Sequence, residues 1–533
     1  MSLGSKILSN TAWQIFGRLF TAVVGIIAIK IITNYLSTDV FGQYTTLYEY
    51  IGFFAIAADF GLYTIGVREM AKKERPVNEI LANILSIRIV LIILTLGLAG
   101  VIAQLIPKYQ DTFVASGIWL VGLTTGLTLL HGTLSSVLQY KLKMMYANIS
   151  VVISRIISIG YIVFTIFYLH PENIEQGFNH LLYAGIFANI GLLVTTMYYV
   201  SKEAKIYLDF NWKYTKELVV KSLPLGLALI LSTIYFKIDV ILIGLMRDYH
   251  EAGIYGVPLK IMEILAVIPV FFMNSALPAI TEAFNNQKER FAGLLKRSYE
   301  FLILAAVPML IGGIILAYPL TFAISNPQFL SGYHCTNNIQ VVDVDPAKAN
   351  QICADTEINE NFIWEEAKPD TAIYLQGSDI ALKLLIIATF FAFISHLFSF
   401  AFVAMDKQAV LMVINFIGMV FNVVTNLILI PKYGFVGASF TTILSELIIL
   451  VIGYAAMRKL TEFTFPIHYT FKVILAGLIM GAVVFTLQPF TYGFLQNFNI
   501  LVLIPLGGIV YIASLFAFKA LDHEHVKRLL KFR

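Results

Sequence analysis

Charged residues are scarce in this chain. Asp, Glu, Lys and Arg make up 13% of its 533 residues, about half of the roughly 25% that soluble domains carry. Hydrophobic residues make up 58% and gather in long runs, each close to the ~20 residues that cross a hydrocarbon core as a helix. The scarcity of charge excludes a soluble globular protein, and the runs predict an all-α polytopic membrane protein.

Signatures of enzymes are missing too. The sequence contains no P-loop, HExxH, CxxC or GxSxG motif. Asp343 and Asp345 resemble the metal-binding carboxylate pairs of membrane glycosyltransferases, but those enzymes usually carry the pair in their first external loop. A solvated acidic surface is the favoured interpretation. We expect a protein that is not an enzyme and that has no cofactor and no metal.

The apolar runs predict about fourteen transmembrane helices and a defined orientation. With the N-terminus in the cytoplasm, cytoplasmic segments hold 23 Lys and Arg residues and external segments hold 5, as the positive-inside rule requires. We therefore expect the protein in the plasma membrane, with both termini in the cytoplasm. The predicted spans are approximately 10–36, 41–66, 79–106, 112–138, 144–168, 178–200, 217–246, 252–280, 298–324, 378–403, 408–430, 434–458, 467–488 and 495–520.

A short repeat divides the chain. FGQY at Phe41–Tyr44 follows the first span and AGIY at Ala252–Tyr255 follows the seventh, so six spans separate the two copies. Parallel repeats of this kind are typical of transporters. They predict a first lobe at 1–205, a second lobe at 206–465, and a helix pair with a cytoplasmic tail at 466–533. We expect a monomer.

One connection, 326–377, is long and hydrophilic, and the orientation places it outside the cell. It is rich in acidic residues and holds the two cysteines of the chain, Cys335 and Cys353. These form a disulfide that closes an external subdomain, or they are two free thiols at a coincidental spacing.

Ionisable side chains inside spans are costly, so each is by default a functional or pairing residue. Matching depths across the first hairpin pairs Lys30 with Glu49 and places Arg18 level with Asp59. Across the second hairpin it pairs Lys237 with Glu263 and Asp239 with Lys260. Glu446 in the twelfth span has no partner at its level and is a candidate for carrying a coupling proton or cation.

Three arginines stand apart from these pairs. Arg18, Arg88 and Arg155 lie on the first, third and fifth spans at a similar distance from the cytoplasmic end. A guanidinium keeps its charge and matches phosphate oxygens with two hydrogen bonds. The arginines therefore predict a binding site for a phosphorylated substrate. The alternative is that they clip helices together or extend to the membrane surface.

Three stretches resemble a known family. They are SNTAWQIFGRLF at 9–20, NYLSTDVFGQYTTLYEYIGFFAIAADFGLYTIGVREMA at 34–71 and DKQAVLMVINFIGMVFNVVTNLILIPKYGFVGASFTTILSE at 406–446. All three are similar to the polysaccharide (oligosaccharide-lipid) flippases of the multidrug/oligosaccharidyl-lipid/polysaccharide exporter superfamily. The resemblance covers nearly the whole chain except about 331–376, which looks like an insertion.

The resemblance implies two six-helix lobes in a V around a central cavity, with two appended helices. It implies that a polyprenyl-(pyro)phosphate-linked oligosaccharide moves from the inner to the outer leaflet by alternating access, for cell-surface polysaccharide biosynthesis. Arg18 best matches a first-helix arginine that holds the lipid pyrophosphate in relatives. The implied partners are the lipid-linked oligosaccharide, membrane lipids and, as further candidates, glycan-assembly enzymes, with no nucleic acid.

Two other functions stay open from the sequence. A cation-coupled multidrug exporter of the same superfamily would favour an acidic first-lobe cavity, whereas the three arginines make this one positive. A membrane glycosyltransferase or polysaccharide polymerase would use the acidic external loop.

Overall fold

Helices make up almost all of the computed structural model, which confirms the predicted all-α fold. The structure describes residues 3–286, 288–331, 333–337, 362–366, 377–461 and 463–521. The chain folds as two compact units, Met1–Ala252 and Gly253–Arg533. The lobes at 1–205, 206–465 and 466–533 divide the chain by its repeat instead, and they stay a prediction.

Eight helices build the first unit. They are α1 (Leu3–Tyr35), α2 (Thr38–Asp59), α3 (Leu62–Lys72), α4 (Val77–Leu105), α5 (Phe113–Tyr140), α6 (Met144–Phe164), α7 (Ile174–Ser201) and α8 (Trp212–Met246). The repeat assigns α8 to the second lobe, but α8 packs against α2 within the first unit.

The second unit begins within α9, which crosses the boundary between the units. Its elements are α9 (Tyr249–Leu265), α10 (Val267–Asn286), α11 (Lys288–Ile315), α12 (Ala317–Ile324), β1 (Tyr333–Asn337), β2 (Phe362–Glu366), α13 (Ser378–Ala404), α14 (Gln408–Thr461), α15 (Ile467–Leu495) and α16 (Ile500–Ala517).

Ten helical stretches of the described residues are long and apolar enough to cross a bilayer. Two of them, Gln408–Thr461 and Ile467–Ala517, exceed 50 residues and contain a break. Large apolar side chains are exposed on the surfaces of these ten stretches. Ile93 and Leu94 of α4, for example, are 66% and 62% exposed. The protein is therefore a multi-pass membrane protein, and the number of fourteen spans stays a prediction.

Polar caps set where several helices of the first unit begin. Ser37, Thr112, Asn173 and Asn211 precede α2, α5, α7 and α8, and each side chain accepts a hydrogen bond from a backbone N–H two or three residues later, at 3.0–3.3 Å. Such caps satisfy N–H groups that have no partner inside the helix. The residues that precede these four helices therefore define where each helix begins.

Close helix packing in the first unit depends on small residues as well as on apolar ones. A Cβ atom on Gly117 of α5 would lie 2.5 Å from Leu47 of α2 and 2.8 Å from Leu182 of α7. Small residues let membrane helices approach closely, where dispersion contacts stabilise the bundle. Nearer the predicted cytoplasmic end, Leu62 and Val137 join α3 to α5 in a buried apolar cluster.

α14 is two helices joined at a glycine. Gly434 has φ 56° and ψ −137°, a conformation that only glycine adopts without strain. The two halves then run back along each other, as the contact between the Gly418 and Ile449 positions shows. Both halves carry fully buried polar residues, Asn422 and Asn426 before the break and Thr441 and Ser445 after it. Buried polar side chains are common where membrane helices pack together.

The two ends of the insertion, at Ser331 and Gly377, are in contact and form a narrow neck. Asp379, buried in the first turn of α13, accepts hydrogen bonds from Ser331 N and from Ser331 Oγ, both at 2.8 Å. The backbone of Gly377 contacts Ser331 so closely that a Cβ atom on Gly377 would lie 2.2 Å from Ser331 N. Beyond the neck, β1 and β2 pair antiparallel with Cys335 opposite Trp364. Cys353 lies outside the described residues, so the disulfide stays a prediction.

Asp379→Ala is expected to destabilise the second unit by about 1–3 kcal/mol, because it leaves the Ser331 N–H and hydroxyl buried without their acceptor. The measurement is the thermal unfolding midpoint of the protein in detergent. Glu289→Ala is the matched control, since Glu289 is also the second residue of its helix but is exposed. Equal midpoints for the two variants would contradict the proposed closure of the neck by Asp379.

Candidate functional site

The helical stretch Thr38–Lys72 is interrupted within the first unit. α2 ends at Asp59, Phe60 and Gly61 have left-handed φ values of 46° and 72°, and α3 begins at Leu62. The left-handed conformation is strained for a phenylalanine. Irregular backbone at membrane depth is tolerated only where protein buries it or where it lines a water-filled cavity. The break therefore marks a candidate site.

Arg88 of α4 satisfies the broken end of α2. Its side chain is fully buried, and Nη1 donates to the Ala58 carbonyl at 2.9 Å and lies 2.8 Å from Asp59 Oδ1. Nε donates to Thr133 Oγ1 of α5 at 2.9 Å. A cation at a helix C-terminus is favourable because the last carbonyls have no partner inside the helix. Arg88 thus joins α2, α4 and α5 at the break.

These contacts bear on the predicted phosphate-binding role of Arg88. Nη2 is its one nitrogen without a hydrogen-bond partner among the described residues, and it is buried. The Asp59 side chain is 27% exposed, whereas that of Arg88 is not exposed at all. A headgroup could reach Arg88 only if the pair with Asp59 opened. In this conformation the contacts are those of the alternative interpretation, a helix clip.

Arg155 of α6 has a different environment. Its side chain is exposed, although protein atoms flank it closely. It interacts electrostatically with the hydroxyls of Tyr44 and Tyr48, so it reaches from α6 towards α2. Among the ion pairs of the described residues, none within 4.0 Å involves Arg155. An exposed arginine without a close carboxylate is suited to an anionic ligand.

The Tyr48 hydroxyl of α2 lies beside a row of polar side chains on α5 and α7. A Cβ atom on Gly185 would lie 3.5 Å from this hydroxyl and 3.3 Å from Thr124 Oγ1. One turn along both helices, Thr128 Oγ1 donates to Asn189 Oδ1 at 2.7 Å. The surroundings of Arg155 therefore continue into hydroxyl and amide groups, which can replace the hydration of a polar ligand.

Sequence reasoning missed the tyrosines and the polar row. The available signal was spacing, because Tyr44 and Tyr48 are four residues apart, as are Thr124 and Thr128, and residues at this spacing share one face of a helix. Tyr44 is also the last residue of the repeat at Phe41–Tyr44, which the sequence indicated only as evidence for two lobes.

A second buried pair joins α2 to α8. Lys237 forms an ion pair with Glu49, whose side chain is buried. Gly52 leaves room for the lysine, since a Cβ atom there would lie 3.0 Å from Lys237 Cε. Depth matching paired Lys237 with Glu263 and placed Glu49 level with Lys30. The structure brings Glu49 and Lys237 together, and the pairing of Lys30 with Glu49 stays a prediction.

The remaining predicted residues are spread over both units. Arg18 and Lys30 lie on α1, and the side chain of Arg18 is outside the part that the structure describes. Asp239 is buried in α8. In the second unit, Lys260 lies 3.1 Å from Glu263 on the same helix, and Glu446 is buried in α14.

The charges inside the predicted spans of the first unit are unbalanced. Arg88 with Asp59 and Lys237 with Glu49 form neutral pairs. Without Glu79, Glu217 and Lys221, which lie within five residues of a span end, the cations outnumber the anions by two, with Arg18, Lys30, Arg88, Arg155 and Lys237 against Glu49, Asp59 and Asp239. The excess positive charge favours an anionic over a cationic ligand in this unit.

Ion pairs also close the predicted cytoplasmic end of the first unit. Lys221 of α8 contacts Glu69 of α3 at 3.2 Å and Glu217 at 2.6 Å, and Lys72 contacts Glu69 at 2.7 Å. A cavity of about 370 Å³ lies beside this network at the connection from α3 to α4, lined by Met70, Lys73, Glu74, Arg75, Pro76, Val77 and Tyr140. It contains none of the three predicted arginines.

Breaking the Arg88–Asp59 pair is expected to destabilise the first unit strongly. Arg88→Met should cost about 3–5 kcal/mol of unfolding free energy, because Asp59 and the Ala58 carbonyl lose their partner. Arg88→Met combined with Asp59→Asn should cost less than the two single changes added together. Chemical unfolding of the four proteins gives the coupling energy.

An exposed ion pair provides the control for this cycle. Arg290 and Glu282 are 3.7 Å apart and both exposed, so Arg290→Gln with Glu282→Gln should show a coupling below about 1 kcal/mol. Additive effects of Arg88→Met and Asp59→Asn would show that Arg88 does not act through Asp59.

Solved structures with a similar fold are membrane transporters. The lipid II flippase MurJ in an inward closed conformation aligns with a TM-score of 0.69 at 15% identity, over 96% of this chain and 98% of that one. An inward-facing multidrug resistance MATE family transporter of the MOP superfamily aligns with a TM-score of 0.58 at 12% identity, over 83% and 94%. Identities this low establish the fold alone.

Sequence relatives give a more specific result. A putative O-antigen transporter of Shigella flexneri is 21% identical over 320 residues, which cover 58% of this chain and 74% of that protein. The uncharacterized membrane protein MJ1068 of Methanocaldococcus jannaschii is 30% identical over 123 residues, or 22% of this chain, and the match spans 23% of that protein. The family model described as polysaccharide biosynthesis protein matches residues 7–284, which is more than half of the chain. The chain belongs to the polysaccharide biosynthesis protein family.

Proposed function

We propose that the protein is a flippase that moves a polyprenyl-(pyro)phosphate-linked oligosaccharide from the inner to the outer leaflet. The family membership, the fold shared with a lipid II flippase and the similarity to a putative O-antigen transporter support this function. The observation that carries it is Arg155, an exposed arginine of the first unit with tyrosine hydroxyls rather than a carboxylate beside it.

The physical problem for such a substrate is its headgroup. Phosphate charge and sugar hydroxyls cost many kcal/mol in hydrocarbon when they lose water without gaining hydrogen bonds. Arg155 and the Tyr48 hydroxyl supply a charge and hydrogen bonds, and the row from Thr124 to Asn189 supplies further polar groups. The isoprenoid tail needs no such replacement and stays in the lipid while alternating access exposes the headgroup to each side in turn.

The three arginines then have different roles. Arg155 contacts the phosphate, and Arg18, on the first helix, is its proposed second contact. Arg88 holds the break between α2 and α3 in shape through Ala58 and Asp59. A direct contact of Arg88 with phosphate requires the pair with Asp59 to open during transport.

Arg155→Gln is expected to slow flipping about tenfold or more, because a charge-assisted contact to phosphate contributes about 1.5–3 kcal/mol. Arg155→Lys keeps the charge but loses the paired geometry, so its rate should fall between those of Arg155→Gln and the unchanged protein. The assay uses proteoliposomes that contain the lipid-linked oligosaccharide and a membrane-impermeant enzyme that oxidises the exposed glycan.

Arg290→Gln is the control, since Arg290 is exposed near the start of α11 and should flip at the rate of the unchanged protein. A normal rate for Arg155→Gln would disprove the role of Arg155. An unchanged protein that leaves the glycan inside but expels cationic dyes would show a multidrug exporter instead. Transfer of sugar in the assay would show a glycosyltransferase or polymerase.

A further inference from the structure

The connection from α7 to α8 forms a strap on the surface of the first unit. Residues 205–211 have no regular secondary structure, yet both ends are attached to α4. Lys205 N donates to Asn78 Oδ1 at 3.0 Å, and Asn211 N donates to Asn83 Oδ1 at 2.9 Å. Asn83 is fully buried, so one attachment point is part of the packed interior.

The attached strap presents large apolar side chains outwards. Trp212 is 71% exposed, Leu208 62%, Phe210 50% and Tyr207 43%. The rings of Phe210 and Trp212 lie 6.0 Å apart. A cluster of exposed apolar side chains on an anchored backbone marks a surface that meets something other than water. The strap follows directly on the end of one predicted span and precedes the next, which places it at the level of the bilayer surface.

Lysines flank the patch along the chain and outnumber its acidic residues, which include the exposed Asp209. Lys202, Lys205, Lys213 and Lys216 are all exposed, and none of the last three lies in an ion pair among the described residues. The Tyr198 hydroxyl accepts a hydrogen bond from Lys202 at 2.8 Å and raises the pKa of this lysine. Glu203 nearby is neutralised by Lys143 at 2.5 Å.

Aromatic side chains flanked by lysines are the combination that binds an anionic bilayer surface, because the rings enter the headgroup region while the ammonium groups meet lipid phosphates. A partner protein would not require lysines on both sides of an apolar patch at the predicted membrane level. We propose that the strap and its flanking residues, 202–216, form a docking surface for anionic phospholipid headgroups on the side of the membrane predicted to be cytoplasmic, with Trp212 inserted among them.

The test uses the full-length protein in vesicles whose lipids carry bromine near the headgroup and quench tryptophan fluorescence on contact. The difference between the unchanged protein and Trp212→Phe isolates the signal of Trp212 from the other three tryptophans. We expect brominated phosphatidylglycerol to quench this signal about twofold more than brominated phosphatidylcholine at the same mole fraction, with the difference reduced by high salt.

Replacing Lys205, Lys213 and Lys216 by Gln should remove the preference for phosphatidylglycerol and retain the quenching by phosphatidylcholine. Replacing Lys407, Arg458 and Lys459 by Gln is the matched control, since these exposed cations also lie at the predicted cytoplasmic side but away from the strap in sequence; it should keep the preference. A Trp212 signal that neither lipid quenches would overturn the proposal in favour of a protein partner or water. Equal quenching by the two lipids would overturn its anionic specificity.

Discussion

The bilayer core offers no water to a broken helix, and the pairing of Arg88 with the end of α2 is the response to that constraint. The chain turns out of helix at Phe60 and Gly61 and leaves carbonyl groups such as that of Ala58 without a helical partner. Arg88 reaches them from α4 and also contacts Asp59 and Thr133. The break can persist at membrane depth because these polar groups are satisfied from within the protein. Arg88 thereby links α2, α4 and α5.

The same constraint separates the cations of the first unit by task. A buried guanidinium needs a carboxylate, and Arg88 has Asp59; a buried carboxylate needs a cation, and Glu49 has Lys237. Arg155 is accessible and lies beside hydroxyls. Neutral pairs hold helices together, whereas an accessible cation among hydroxyls retains its capacity for an anionic ligand. In the proposed flippase, one arginine, Arg88, therefore stabilises the helix packing, and another, Arg155, binds the ligand.

The exposed surface follows a related logic. Ile93 and Leu94 on α4 face outwards at the depth of the hydrocarbon, where apolar exposure carries no cost. Tyr207, Phe210 and Trp212 are exposed too, but they lie on a strap among lysines. Exposed apolar groups therefore have different meanings at different depths, in the hydrocarbon for α4 and among the headgroups for the strap.

Much of the fold could be predicted from the sequence, because hydropathy adds up residue by residue along a segment. The all-α membrane fold and the family were both available from the chain alone. The partners of those charges were not: depth matching assigned Lys237 to Glu263, whereas the structure places Lys237 against Glu49, because α8 packs on α2. Whether an arginine is buried or accessible depends on the rotation of its helix and on its neighbours. The sequence by itself therefore determined that the chain forms helices that lie in a lipid bilayer. Only the tertiary structure decided which cations are neutralised, because Glu49 and Lys237 are 188 residues apart in the chain and become neighbours only when the helices pack.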